Sequence, residues 1–324
     1  MEYKIAIVNS SSFGRVFPKH VEALKEIGKV EYFRVPNEIS GRELAEKLNG
    51  FNIIISSVTP FFTKDFFENK DELFIISRHG IGYNNIDLAA AKNHNVFVSI
   101  VPPLVERNAV AENAVANLLA LVRQTRNSSK AAIESHWTDR ANFMGNNLTG
   151  KTFGVIGCGN IGSRVAEIFK YGFNGRVLVT DPKLDNEWAI KNKVELVPLE
   201  LLLREADFIS LNCTLNETSE NIINYETLKL VKSGVYITNT ARGALIEEKA
   251  IISAIEKGQV AGLATDVMIS EPAESSHPYF GNPKILVTPH TSAYTYECLE
   301  GMGEKCLTDI RAVVKGEKPE YLVN

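Results

Sequence analysis

Thr152-Phe153-Gly154-Val155-Ile156-Gly157-Cys158-Gly159-Asn160-Ile161-Gly162 decides how the rest of the chain is read. Its first five residues form an apolar run that predicts a buried strand, and Ile161 to Phe169 predicts a helix with small residues at its start. Gly157 permits a sharp turn, Gly159 lets the backbone approach a pyrophosphate, and Gly162 lets the helix pack close to the sheet. The N–H groups at the helix start, with the positive end of its dipole, suit phosphate oxygens. Nineteen residues after Gly162, Asp181 closes the next apolar run, Arg176–Thr180, where a carboxylate accepts hydrogen bonds from ribose hydroxyls. The glycines alone describe a turn. Strand, glycines, helix, strand and acid in that order describe a dinucleotide site.

The same alternation extends in both directions. Towards the C-terminus, strands are expected at 152–156, 176–181, 207–211, 235–239, 261–265 and 284–288. Helices are expected at 160–172, 198–205, 225–231 and 247–257, with a last one at about 294–315. Towards the N-terminus, strand runs at 4–8, 30–35, 52–56, 73–77 and 96–99 alternate with helical spacing at 18–27, 41–48 and 86–93. Ser40 and Asn85 are the expected caps of the latter two helices. A largely apolar segment at 104–126 predicts one long helix, buried on more than one side. The pattern is α/β: two doubly wound parallel-sheet domains, flavodoxin-like and Rossmann, with a cleft between them.

Bulk properties narrow the function classes. The chain has 324 residues, enough for two domains, and is 44% hydrophobic and 23% charged, the balance of a globular protein. A net charge of −4 gives no general attraction to nucleic acid or anionic membrane. No apolar stretch is long enough to span a bilayer, and the N-terminus enters a strand without the pattern of a signal peptide. Cys158, Cys213, Cys298 and Cys306 form no Cys-x-x-Cys pair and no metal-ligand spacing, so no metal is expected and the thiols suit a reducing cytoplasm. Cys158 lies inside the glycine turn, a place that predicts sensitivity to alkylation.

Three strand ends carry groups suited to chemistry. Arg242 follows the run Val235–Thr238, and its planar fork matches two carboxylate oxygens. Asp266 and Glu271 follow a second run, leaving one acid for the cofactor and the other for the reaction. His290 follows the run 284–287, and the ordinary pKa of a histidine side chain lies near neutrality, which suits proton transfer. By position alone, the arginine and both acids are equally well read as solvated loop residues. Together they form a coherent reaction. Hydride transfer to a ketone carbon leaves charge on oxygen, a protonated histidine supplies the proton, and a neighbouring carboxylate favours the imidazolium. An arginine orients the carboxylate of a 2-keto acid and polarises its carbonyl.

With these residues in place, the chain resembles the D-isomer-specific 2-hydroxyacid dehydrogenase family over nearly its whole length. The resemblance is carried by 78–87 (Arg-His-Gly-Ile-Gly-Tyr-Asn-Asn-Ile-Asp), by Asn108–Glu112, by Gly157 to Gly162 with Asp181, by Asn239–Glu247, and by the segments ending at Glu271-Pro272 and His290. It implies that Arg242 binds substrate, that Glu271 pairs with the catalytic histidine, His290, and that Asp266 holds the nicotinamide end. The backbone N–H groups at Ile81 and Gly82 are implied to receive the substrate carboxylate. The cofactor-binding set is expected to be Gly157, Gly159, Asn160, Ile161, Gly162, Asp181, Cys213, Thr214, Thr240, Ala241 and Asp266. The resemblance also implies a homodimer. It further implies a discontinuous substrate-binding domain, 1–102 plus about 296–324, beside an NAD-binding domain at 103–295.

The implied reaction is NAD-dependent reduction of a small 2-keto acid to the D-2-hydroxy acid. Asp181 disfavours NADP, because a carboxylate there repels the extra phosphate. The common aspartate of the first loop is Asn84 here, and the common histidine after Ala-Glu is Asn113. Residues 290–295 look more like the D-lactate dehydrogenase branch, and the first loop more like the glyoxylate reductase and phosphoglycerate dehydrogenase branches. Pyruvate to D-lactate is read slightly ahead of glyoxylate and hydroxypyruvate. The chain ends soon after its last helix, so no appended regulatory domain is expected. A formate or phosphite dehydrogenase is a rival, although the formate branch lacks the carboxylate partner that Glu271 supplies. A rival of another class is an NAD-sensing binding protein like the C-terminal-binding-protein corepressors.

Overall fold

The apolar runs of the sequence become parallel strands because strands covered on both faces need side chains that leave water on both. The computed structural model describes residues 2–184 and 186–324. The chain divides into two units, Met1–Glu106 with Tyr294–Asn324, and Arg107–Ala293.

In the first unit β1 (Lys4–Val8), β2 (Lys29–Phe33), β3 (Ile53–Ser56), β4 (Ile75–Arg78) and β5 (Phe97–Ser99) form a parallel sheet in the order β2-β1-β3-β4-β5. Ile5 lies opposite Val30 on one side and Ile53 on the other. Every residue of β3 and β4 is buried. The helix Gly41–Lys47 starts at Ser40 with a reciprocal capping box to Glu43. The helix expected at 86–93 starts later, at Leu88, and its cap is Asp87 rather than Asn85. The Asn85 amide instead donates to the carbonyls of Ser57 and Pro60, at 3.2 and 2.8 Å.

The C-terminal segment completes this sheet. Ser99 and Leu322 form an antiparallel bridge, and the Val98 N–H donates to Asn324 Oδ1 at 2.9 Å. From the helix Tyr296–Val314, buried Asp309 accepts from Ser77 Oγ at 2.7 Å and from Ser99 Oγ, and it pairs with Lys305. Every one of these buried polar groups therefore has a partner.

In the second unit β6 (Thr152–Ile156), β7 (Arg176–Thr180), β8 (Glu195–Leu196), β9 (Phe208–Leu211), β10 (Val235–Asn239), β11 (Val260–Thr265) and β12 (Ile285–Val287) are parallel, in the order β12-β11-β10-β9-β6-β7-β8. Six strands are expected from the sequence. The seventh, β8, pairs only Glu195 and Leu196 with β7 and is too short for an apolar run to announce it. The order reverses at β6, so the β6–β9 junction is the place where such sheets bind ligands. Phe153 stacks on Phe169 at 4.2 Å and on Phe208 at 5.3 Å, a ring cluster that anchors the first strand and helix of this unit. The helix expected at 104–126 ends at Val122. Gln124 takes φ +49°, outside helical geometry, and a second helix runs Thr125–Ile133. The alternating signals are thus borne out as two doubly wound parallel sheets. Among the described residues no helix is long and apolar enough to cross a membrane.

Candidate active site

β6 ends at Ile156, and Gly157 turns the chain at φ +84°. A Cβ on Gly157 would meet the Cys213 backbone at 2.4 Å, and one on Gly162 would meet the Gly157 carbonyl at 1.9 Å. Both glycines are therefore required by backbone contact. A Cβ on Gly159, by contrast, meets nothing within 4 Å, so open space lies where a pyrophosphate would approach. The helix Asn160–Glu167 begins at once, presenting its N-terminus to that space. Asp181 follows β7. Its Oδ2 accepts from the Cys158 N–H and its Oδ1 from the Lys183 N–H, both at 2.8 Å. The acid is thereby held against the glycine turn, and each oxygen retains a lone pair for a ribose hydroxyl.

Cys213 and Thr214 follow β9 and back the turn. Two buried side-chain atoms near these strand ends have no partner, Asn212 Oδ1 after β9 and Thr240 Oγ1 after β10. Together with the space above Gly159, they fit a dinucleotide that brings its own polar groups. Cys158 differs from its expected reactivity. Burial, reinforced by the charges of Asp181 and Glu167, pushes its thiol up to about 12, so it stays protonated and unreactive at neutral pH.

Arg242, Glu271 and His290 sit one loop further on. Asn239, the last residue of β10, accepts from the Ala241 N–H and donates to the Arg242 carbonyl, closing the loop from which the guanidinium projects. A Cβ on Gly243 would lie 2.2 Å from the Met268 backbone, so this loop packs directly on the one carrying the acids. The Met268 N–H donates to Glu271 Oε1 at 2.8 Å, and His290 Nδ1 lies 2.6 Å from Glu271 Oε2. Burial raises the Glu271 carboxyl, but the His290 hydrogen bond and charge, the Met268 N–H and the Arg242 charge outweigh it and hold the acid below its ordinary value. With Nδ1 engaged, Nε2 is the ring nitrogen of His290 left for another partner.

Asp266 is 1% exposed. It lies after β11, but its carboxylate is used within the protein. Oδ1 accepts from Thr288 Oγ1 and the Thr291 N–H, at 2.5 and 2.9 Å. Oδ2 accepts from the Ser292 N–H and Oγ, at 2.7 and 2.5 Å. These four bonds fill the acceptor capacity of a carboxylate. Sequence reasoning missed Thr288, Ser292 and the two helix amides that reach them, Asn113 and Asn117. The available signal was two polar residues one turn apart on an otherwise apolar helix face.

Arg242, Glu271 and His290 thus come together in the second unit. Ile81 and Gly82 belong to the first unit, after β4, where Gly80 takes φ +155°. There the Ile81 N–H donates to Glu106 Oε1 at 2.9 Å. Among the described residues no cluster of three or more His, Cys, Asp or Glu is arranged to hold a metal ion.

Residues 115–292, which include the glycine turn, Asp181, Arg242, Glu271 and His290, match the family model for the NAD-binding domain of D-isomer-specific 2-hydroxyacid dehydrogenases. The chain belongs to this family. A glyoxylate reductase of Pyrococcus furiosus is 32% identical over 317 residues, covering 96% of this chain and 94% of that one. A D-3-phosphoglycerate dehydrogenase of Methanocaldococcus jannaschii is 33% identical, covering 95% of this chain but 58% of the other. The apo-structure of D-lactate dehydrogenase from Escherichia coli superposes with a TM-score of 0.84 at 28% identity, over 99% of this chain and all of that one. The dehydrogenase is therefore an oxidoreductase of the NAD(P)-dependent kind that acts on 2-keto or 2-hydroxy acids.

Proposed function

We propose that this dehydrogenase reduces glyoxylate or hydroxypyruvate with NADH, and pyruvate less well. The observation that carries the reaction type is the 2.6 Å contact between His290 and Glu271 at a strand end, beside the Arg242 loop. The reading moves glyoxylate ahead of pyruvate because the relative named glyoxylate reductase matches over nearly the full length of both chains.

In this reading the bound nicotinamide supplies the hydride. His290 delivers a proton from Nε2 to the oxygen on which charge develops, and Glu271 stabilises the imidazolium and fixes its tautomer through Nδ1. Arg242 grips the substrate carboxylate and polarises the carbonyl. The N–H groups of Ile81 and Gly82, in the first unit, are read as donors to a substrate carboxylate. Asp181 selects NAD over NADP by binding ribose hydroxyls and repelling a phosphate. Equal kcat/KM with NADPH and NADH would remove that preference.

The same reading includes a homodimer. Ile133, Trp137 and Met144 are 82%, 70% and 81% exposed on one segment of the second unit, and burying such residues against a second copy removes their apolar surface from water. A monomer in analytical ultracentrifugation at micromolar concentration would count against it.

NADH oxidation by the purified protein tests the whole proposal, with glyoxylate, hydroxypyruvate, pyruvate and phenylpyruvate as substrates. We expect glyoxylate or hydroxypyruvate to give the highest kcat/KM. A tenfold advantage for pyruvate would restore the D-lactate reading, and no turnover with any of them would favour an NAD-sensing binding protein.

A further inference from the structure

His290 has φ +53°, a left-handed conformation that is unfavourable for an L-residue with a side chain. The groups that hold it there follow in sequence. The His290 N–H donates to the Asp266 carbonyl at 2.9 Å. The next two N–H groups, of Thr291 and Ser292, donate to the two oxygens of the Asp266 carboxylate. Three successive backbone donors are thus pinned to one buried acid. That acid fixes the backbone turn from which the histidine side chain projects.

The acid is in turn oriented by two hydroxyls. Thr288 Oγ1 and Ser292 Oγ donate their protons to Oδ1 and Oδ2. Each hydroxyl accepts a hydrogen bond from an amide on the helix Pro103–Val122. Asn113 Nδ2 donates to Ser292 Oγ at 2.7 Å, and Asn117 Nδ2 donates to Thr288 Oγ1 at 3.2 Å. Positions i and i+4 put both amides on one helix face. The donor order N–H to O–H to carboxylate runs one way only, because an amide N–H cannot accept. Each amide therefore fixes its hydroxyl as a donor to Asp266, and such chains strengthen each member.

We propose that Asn113 and Asn117 are positioning residues for His290, acting through Ser292 and Thr288 on the buried carboxylate of Asp266. The inference rests on the reading of His290 as the proton donor. It also gives Asn113 a place behind that donor, reached through Ser292 and Asp266. The network spans residues 179 apart in sequence, so it locks a turn of one loop to a helix far away in the chain.

The test is a double-mutant cycle on the full-length enzyme, with kcat, KM for the best 2-keto acid and the NADH dissociation constant by fluorescence titration. Asn113→Ala and Ser292→Ala are each expected to lower kcat about tenfold, because misplacing a reacting group by a fraction of an ångström is enough for such a loss. KM and the NADH dissociation constant should stay within about twofold, a split that general loosening of the fold would not produce. The double variant should lose about tenfold as well, not about a hundredfold, since both changes break one chain. Asn113→Asp, which keeps the shape and replaces the donor by a carboxylate, should lose at least as much and serves if the alanine variant folds poorly. Full kcat in Asn113→Ala and Asn113→Asp, or additive losses in the double variant, would overturn the inference while leaving the function standing. A wild-type enzyme with no turnover on any 2-keto acid would take both down.

Discussion

Two loops of this molecule use the same device with opposite permanence. In the second unit the backbone N–H groups that follow His290 end on Asp266, a carboxylate with several described donors and almost no exposure. In the first unit the Ile81 N–H ends on Glu106, a half-buried carboxylate from the first turn of a helix. A buried, saturated acid freezes the backbone and leaves the side chain of the turn to act. In the proposed function, the half-buried acid on the Ile81 N–H holds a place that a substrate carboxylate takes. The comparison teaches that an acid bonded to main-chain N–H groups is a fixture or a placeholder according to its burial.

The largest effect should come from the frozen turn. His290→Ala is expected to lower kcat roughly a thousandfold while NADH still binds, which fluorescence titration would show. Near-normal turnover would mean that the turn is held rigid for something other than proton transfer. Arg242→Ala should cost roughly a hundredfold in kcat/KM for the keto acid, because a bidentate charged contact is lost. Unchanged saturation curves would place the substrate carboxylate elsewhere.

Glu271→Gln should lower kcat roughly tenfold, because the carboxylate that holds His290 Nδ1 is lost. Burial raises the Glu271 carboxyl, but the His290 hydrogen bond and charge outweigh it, ahead of the Met268 N–H and the Arg242 charge, so it stays ionised to lower pH than an ordinary carboxyl. An unchanged kcat would separate Glu271 from the proton donor. The smallest effect belongs to the placeholder. Glu106→Gln should lower KM for a 2-keto acid a few-fold with kcat unchanged, because two carboxylates no longer compete for one donor. A raised KM would show that Ile81 does not receive the substrate.

Much of this was legible in the chain because the responsible physics is local. Buried parallel strands must be apolar runs, and β3 and β6 announce themselves that way. A turn that brings Gly162 against the Gly157 carbonyl must be written in glycine. Arg242, Glu271 and His290 stand out as ionisable groups in the loops that follow such runs. What was hidden depends on contact at a distance. The sequence does not show that Asp87 caps a helix in place of Asn85, because both are good caps and the choice follows from the carbonyls of Ser57 and Pro60. It does not show the break at Gln124, an ordinary helix former. Asn113, Asn117, Thr288 and Ser292 are neutral side chains whose meaning appears only when the fold sets them around Asp266.

The first unit is built from both ends of the chain, and this has a consequence for synthesis. β5 is covered by residues near 322, and the hydroxyls of Ser77 and Ser99 find their acid only in Asp309. The second unit is one continuous stretch, Arg107–Ala293. Domains fold as units while the ribosome delivers the chain. Here Ser77 and Ser99 are made before the second unit and Asp309 after it, so the contacts that tie the first unit together wait for the second to be synthesised.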